Sequence, residues 1–352
     1  MKKAFNVAIA IVVLAAVAVV SILGKSSNNE NLYIYTWADY IDPELISTFE
    51  KENNCEVVIN TFDSNESMLA KLTAGSSGYD IITPTEYFMP ALISHDLIDK
   101  IDMAKLPNVA TNFDEMFQSE WSLKWNVPYA FSCTGILWRK DKVPADLTFK
   151  DWNDMFDSRL KSRICMMNDI REVIGLGLKM KGYSINSTNE NELAEATKVA
   201  KEWKSRCSKM DNESYRTGIP AGEFFVAMAY NSDAIMLYAD DKENIGYSIP
   251  TNGTTSSIDV MCVMKDARHK ELAYKFIDML YAMENAVKNS EFNGAPMPIK
   301  NLYENLSDEY KAIPFMKVSD EIKSRCENIR DVGEYLRLYT KAWDEIKSSK
   351  VD

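Results

Sequence analysis

The chain has 352 residues, 46% hydrophobic and 26% charged, a balance that supports a large buried core in two bodies and excludes disordered, collagen-like and small disulfide-stapled proteins. Lys and Arg total 40 against 52 Asp and Glu, a net charge of -12 that repels phosphate backbones, so nucleic acid is not an expected partner and a cationic ligand is a natural one. Its two histidines, His95 and His269, lie far apart on polar segments, which leaves no zinc-binding helix and little material for a Ser-His-Asp triad.

Met1-Lys2-Lys3 leads into an almost unbroken apolar run, Ala4 to Gly24, with small residues at Ala16, Val17 and Ala18. A basic start, an apolar middle and small residues mark an export signal, and the run is also long enough to span a bilayer if it stays attached. Residues 1–24 are therefore expected to be a signal peptide or an uncleaved membrane anchor, with 25–30 a linker and the working protein in the periplasm. No cysteine follows the run, so anchoring through an acylated cysteine has no support.

The first strand is predicted at Leu32 to Thr36, and Asp42-Pro43 then supplies a helix cap and a first helical residue, with Leu45, Ile46 and Phe49 on one face. A strand at Cys55 to Asn60, a helix at about Glu66 to Thr73 and a strand at Tyr79 to Thr83, closed by Pro84, follow. Such alternation predicts parallel β-α-β units with helices covering a sheet. Later helices are expected near Glu190 to Lys204 and Lys270 to Tyr281, and strands at Phe224 to Tyr230 and Val260 to Met264. Val332, Leu336, Tyr339, Trp343 and Ile346 share one face of a final helix that is expected to pack on a lobe. The cysteines are even in number, but Cys133, Cys165 and Cys262 sit in apolar stretches and no CxxC occurs; buried free thiols are favoured, with Cys207 and Cys326 the pair to join if any does.

Cofactor motifs find no support. Gly24-Lys25-Ser26 lacks the earlier glycine of a phosphate-binding loop, Gly175-Leu176-Gly177 lacks the third glycine of a dinucleotide turn, and no calcium-loop pattern surrounds Asp211 or Asp240-Asp241. What remains are acids and aromatics where strands end: Trp37, Asp39 and Tyr40 after the first strand, Thr85 and Tyr87 after the third, Asp169 and Glu172, Tyr230, and Asp259. Ligands in open α/β sheets bind at the carboxyl ends of strands. Carboxylates pair with ammonium groups and aromatic faces cover methylene chains and attract cations, so this set suits an aliphatic amine.

The segments LYIYTWADYIDPELISTFEKE, FDSNESMLAKLTAGSSGYDIITPT, NDIREV with KGYS after it, MAYNSDA, SIPTNG with SSIDV, and RDVG with KAWDEIK resemble, in the same order, the periplasmic polyamine-binding proteins of ABC importers. The resemblance implies a type II two-lobe α/β fold hinged by two crossing strands, with the ligand in the interlobe cleft. It implies one lobe at 31–134 plus 258–303 and a second at 135–257 plus 304–352. It implies that Trp37, Tyr40 and Tyr87 wall the amine chain, that Thr85 supplies a hydroxyl, that Asp169, Glu172 and Asp259 hold amine groups, and that Tyr230 replaces a tryptophan. Ser257, Ala295 and Ile329 stand where the family carries two aromatics and an amide.

These readings predict a monomeric, non-enzymatic binding protein that captures putrescine or spermidine and delivers it to a membrane permease driven by a separate ATPase. Other cationic solutes, a guanidino compound or a basic amino acid, would suit the space left by Ser257 and Ala295. Rivals from other classes are an exported hydrolase using Asp169 and Glu172 as acid and base, and a ligand sensor tethered by the apolar amino terminus.

Overall fold

A computed structural model of the chain describes residues 30–75 and 78–349, so the export segment expected at 1–24 and residues 25–29 of the expected linker lie outside the described residues. The strand β1 (Glu30–Thr36) carries Leu32 and Ile34 into full burial, each stabilising the fold by about 1.5–3 kcal/mol. Helix α1 (Pro43–Asn53) begins as its sequence dictates: the Asp42 carboxylate accepts the Glu44 amide at 2.7 Å, and Pro43 occupies a position whose N–H would have no helical partner. Asn54, in left-handed conformation, ends α1 and feeds β2 (Cys55–Thr61), which pairs parallel with β1 along its whole length. Helix α2 (Asn65–Thr73), capped by Ser64, leads back to β3 (Ile81–Ile82) on the other edge of β1.

β3 is shorter than the stretch Tyr79 to Thr83 suggests. The amides of Asp80 and Thr83 still bond to the carbonyls of Tyr33 and Tyr35, at 2.8 and 3.0 Å, but Pro84 stops the strand and turns the chain toward Thr85.

Two long strands organise the rest. β4 (Val127–Arg139) pairs antiparallel with β9 (Thr254–Val263) up to Cys133; from Thr134 onward it pairs instead with β7 (Val226–Tyr230), and from Ile136 also with β8 (Ile245–Ser248). A single strand therefore serves both halves of the sheet, whose order is β2-β1-β3-β9-β4-β7-β5-β6, with β5 at Ile164–Met166 and β6 at Lys209–Met210. β10 (Cys326–Asn328) adds to the free side of β9. The parallel pattern expected from the sequence holds for β1 with β2 and β3 and for β5 with β6 and β7, whereas β9 and β4 run antiparallel to β3 and β7 because they cross from one half to the other. Gly135 marks the changeover in β4: a Cβ there would stand 2.4 Å from the Tyr247 ring, so only glycine lets β8 close on β4.

Buried side chains form one group around β1, β3, β9 and the first half of β4, and a second around β5, α3 (Ile170–Met180), α4 (Glu190–Arg206) and the final helix. Helix α5 (Asn231–Asp240) follows β7, and α6 (Lys270–Leu280) covers the first half. The final helix, α7 (Leu336–Ser348), departs from its expected stripe. Val332, Tyr339, Trp343 and Ile346 are buried, but Gly333 at φ +53° starts a tight turn, so Val332 precedes the helix and Leu336, at its first position, is 41% exposed.

All six cysteines are free, and Cys55, Cys133, Cys165 and Cys262 are buried, as their apolar settings suggested. Cys207 and Cys326 do not form the pair held in reserve: the Cys207 thiol neighbours Cys165, and the Cys326 thiol neighbours Cys133. His269 is a structural residue, its amide donating to the buried Asp80 carboxylate at 2.8 Å. Among the described residues no helix is long and apolar enough to cross a membrane.

Candidate functional site

The site begins where β1 and β3 end. Along β9 the residues Thr255, Ser257 and Asp259 face one side, shared on β4 by Ala130 and Ser132, the partners of Asp259 and Ser257, and by Thr134 beyond them, after a register shift between Pro128 and Ala130. Asp259 is half-buried and both its oxygens are held: the Tyr40 hydroxyl donates to Oδ2, and the Thr85 hydroxyl donates to Oδ1 at 2.7 Å. Burial still outweighs these donors and pushes the carboxyl up to about 6.

Each donor is itself fixed. The carbonyl of Tyr40 accepts from the Tyr129 hydroxyl at 2.8 Å and from the Asn293 amide at 2.9 Å, and its ring meets Tyr129 edge to face. Asn65, the first residue of α2, accepts from the Thr85 backbone at 3.0 Å and donates to the Thr85 hydroxyl at 3.1 Å and the Tyr87 hydroxyl at 3.4 Å. Trp37 packs edge-on against Phe62 at 4.4 Å, with its Nε1 buried and without a hydrogen-bond partner among the described residues. Asp39 stands apart. It is exposed, at φ +53°, and turns the chain between Trp37 and Tyr40 without joining the network.

The facing side is built on α3. Asp169 caps this helix, accepting the amides of Arg171 at 2.8 Å and Glu172 at 2.9 Å through one oxygen. Glu172 is 3% exposed, and its Oε2 accepts from the hydroxyls of Thr134, at 2.8 Å, and Thr255, one on each crossing strand. Burial first, then the Asp169 charge, raises the Glu172 carboxyl to about 7. Burial likewise raises Asp169. The nearby cation, Arg171, is turned away: Nη1 donates to the Arg330 carbonyl at 2.7 Å, Nη2 to Asn186 at 2.8 Å, and the guanidinium lies 4.8 Å over the Tyr339 ring.

Tyr230, at the end of β7, joins the two sides. Burial raises its hydroxyl well above the usual tyrosine range, and the charges of Glu172, Asp169 and Asp259 all add to the shift, so the three acids lie within electrostatic reach of one phenol. Tyr87, raised chiefly by burial, also feels Asp169. Of the nine residues singled out in the sequence, Tyr40, Thr85, Tyr87, Asp169, Glu172, Tyr230 and Asp259 are linked by hydrogen bonds or charge, whereas Trp37 and Asp39, in the turn after β1, are not tied to the acids. The sequence reading missed Asn65, Thr134 and Thr255, which orient the others. Thr134 and Thr255 read only as β-branched strand residues, and the one signal for Asn65 is its place after the helix-capping Ser64.

The arrangement offers Asp259, Asp169 and Glu172 without an ion-pair partner within 4 Å among the described residues, beside tyrosine side chains, a setting that favours an organic cation over an anion or a neutral sugar. No cluster of three or more His, Cys, Asp or Glu that could hold a metal ion occurs among the described residues. A separate cavity of about 290 Å³, lined by Phe131, Ser256, Ile258 and Asn328, opens on the opposite face of the crossing strands and is not part of this site.

Residues 44–318 match the model of the bacterial extracellular solute-binding protein family. The chain belongs to that family. Among curated relatives, the putrescine/cadaverine-binding protein of Pseudomonas aeruginosa is 29% identical, over 90% of this chain and 94% of that one. Among solved structures, the TpPotD lipoprotein of Treponema pallidum is 29% identical with a TM-score of 0.79, covering 90% of this chain and 99% of that one. The spermidine/putrescine substrate-binding protein PotD of Streptococcus pneumoniae is 27% identical with a TM-score of 0.77, covering 90% and 100%. The family member described here thus has the two-lobe type II binding-protein fold, with β4 and β9 as its crossing strands.

Proposed function

We propose that this family member is an extracytoplasmic receptor that captures a polyamine, putrescine or spermidine, and delivers it to an ABC-transporter permease powered by a separate ATPase. It acts as a monomer and without catalysis. The lobes are residues 31–134 with 258–303 and 135–257 with 304–352, and they close on the ligand because it touches both. The observation that carries the reading is a set of three acids, Asp259, Glu172 and Asp169, each held by hydroxyl or amide donors, while the nearby Arg171 donates to Arg330 and Asn186 instead. The names of the relatives, which bind putrescine, cadaverine and spermidine, support the ligand class. The hydrolase alternative gains nothing from the geometry: Asp169 is tied to a helix start and Glu172 to two threonines, an arrangement that fixes both in place for a shared cation.

Calorimetric titration with putrescine, cadaverine, spermidine, spermine and arginine tests this. One-to-one binding of a polyamine, weakened at least about tenfold by Asp259→Asn and also weakened by Trp37→Ala, is expected, since a charge-assisted contact is worth about 1.5–3 kcal/mol. Preferential binding of arginine would move the assignment to a guanidino ligand, and heat changes unaltered by both variants would remove the cleft from the account.

A further inference from the structure

The cavity of about 290 Å³ behind the crossing strands combines an apolar floor with hydrogen-bond donors. Phe131 and Ile258 stand opposite each other on β4 and β9, both buried, and the Phe117 ring lies 5.7 Å from that of Phe131. Ile258 alternates with Ser257 and Asp259 along β9, so the cavity and the acids open on opposite faces of the strands. The polar groups around the floor have protons to give and few oxygens to offer. The Ser256 hydroxyl donates to Asn328 Oδ1 at 2.6 Å, which engages its proton and fixes the carboxamide with the Nδ2 amino group unengaged among the described residues. Lys323, on the short helix Asp320–Arg325, gives one ammonium proton to the Met116 carbonyl at 2.7 Å and keeps the others. Arg330 lines the same cavity, and neither it nor Lys323 pairs with a carboxylate among the described residues. The acid in the lining, Glu327, is engaged by Lys179, the Ser184 hydroxyl and the Ile185 amide.

We propose that this cavity is a second binding site, for a small organic anion with an apolar body. A ring or short chain rests on Phe117, Phe131 and Ile258, and a carboxylate or sulfonate accepts from Lys323 and the Asn328 amino group. A neutral ligand leaves Lys323 and Arg330 without a counter-charge, and a cation is repelled by both. In a chain of net charge -12, two unpaired cations beside one cavity are a local feature that draws an anion here and away from the acids on the other face. The volume stands at the lower end of small-molecule pockets, which limits the occupant to roughly two fused rings or a chain of similar bulk. The site is separate from the cleft proposed for the amine, and neither reading depends on the other.

Naphthalene-2-sulfonate is the probe, titrated calorimetrically into the purified protein beside the neutral naphthalene-2-methanol. Two variants at exposed positions, Asn328→Asp and Lys323→Gln, are matched to the parent by thermal melting. Asn328→Asp keeps the oxygen that accepts from Ser256 and replaces the amino group with a second oxygen, so the frame stays while a donor becomes a like charge. Saturable one-to-one binding of the sulfonate is expected, at least about tenfold tighter than the alcohol, since a charge-assisted hydrogen bond is roughly twice as strong as a neutral one. Asn328→Asp should weaken it about tenfold or more and Lys323→Gln about fivefold, with the alcohol held within about twofold by both. No saturable binding of the sulfonate, equal affinity for the alcohol, or an affinity unchanged in either variant would overturn the site.

Discussion

Acidification is the perturbation that the site is least able to hide. Asp259 sits near pKa 6 and Glu172 near 7, both raised first by burial, whereas aliphatic ammonium groups stay protonated through this range. If the ligand requires both carboxylates ionised, affinity scales with the product of the ionised fractions. At pH 8 both are about 90% ionised or more; at pH 5 about one Glu172 in a hundred and one Asp259 in eleven remain so, a loss of roughly a thousandfold. Dependence on Asp259 alone gives about tenfold, and on Glu172 alone about a hundredfold. Titration calorimetry at constant ionic strength from pH 5 to 8 reads the slope directly. The unliganded protein should change in the opposite sense. Its raised acids bind more protons folded than unfolded between roughly pH 4.5 and 7, so this part of its stability is present below that window and lost as pH rises through it. The ligand-induced increase in Tm should therefore grow from pH 5 to 8. Affinity that is flat across this range would show that neither carboxylate meets the ligand as a charge.

Two further outcomes follow from contacts around the site. Replacing Thr134 and Thr255 together by valine removes both hydroxyls that donate to Glu172, so the upper midpoint of the pH profile should move to higher pH, with stability lowered by about 1–3 kcal/mol; an unmoved midpoint would deny these hydroxyls a part in tuning the carboxylate. Thiol titration of the denatured, unreduced protein should find all six cysteines free, and a count of four would require a disulfide absent from this structure.

The sequence made the first half of the fold legible because its signals are local. Asp42-Pro43 starts α1 and Pro84 ends β3, each through chemistry within a few residues. Burial in the final helix was harder to read because a four-residue spacing does not reveal that Gly333 turns the chain before Leu336. The crossing role of β4 was not legible at all from periodicity. Val127 to Arg139 is one strand whose partners change at Thr134, and only pairing with β9 and β7 records this. At the site the acids were legible as chemistry, while the hydroxyl and amide groups that hold them come from positions far along the chain, such as Thr255 for Glu172 and Asn65 for Thr85.

The positions where the family resemblance expects aromatic or amide groups explain how this cleft divides its work. Ser257 shares a hydrogen bond of 2.7 Å with Ser132 on the other crossing strand, so its hydroxyl fastens β9 to β4 and offers no ring. Ala295 is buried, and its amide donates to Asn293 at 2.8 Å, the residue whose side chain also holds the Tyr40 carbonyl. Ile329 is buried too, its amide bonded to the Ser256 carbonyl at 2.9 Å. Of the three, only Ser257 adds a side-chain tie between the crossing strands; Ala295 and Ile329 bond through backbone amides that other residues would supply as well. An aromatic face is worth about 0.5–2 kcal/mol to a cation it covers, and a charge-assisted contact about 1.5–3 kcal/mol. If the cleft takes an amine as proposed, fewer rings beside retained carboxylates shift discrimination from the shape of the cleft to the spacing of its charges. That shift is why the number of ligand ammonium groups and the protonation of Asp259 and Glu172 should govern affinity more strongly than the length of the methylene chain between them.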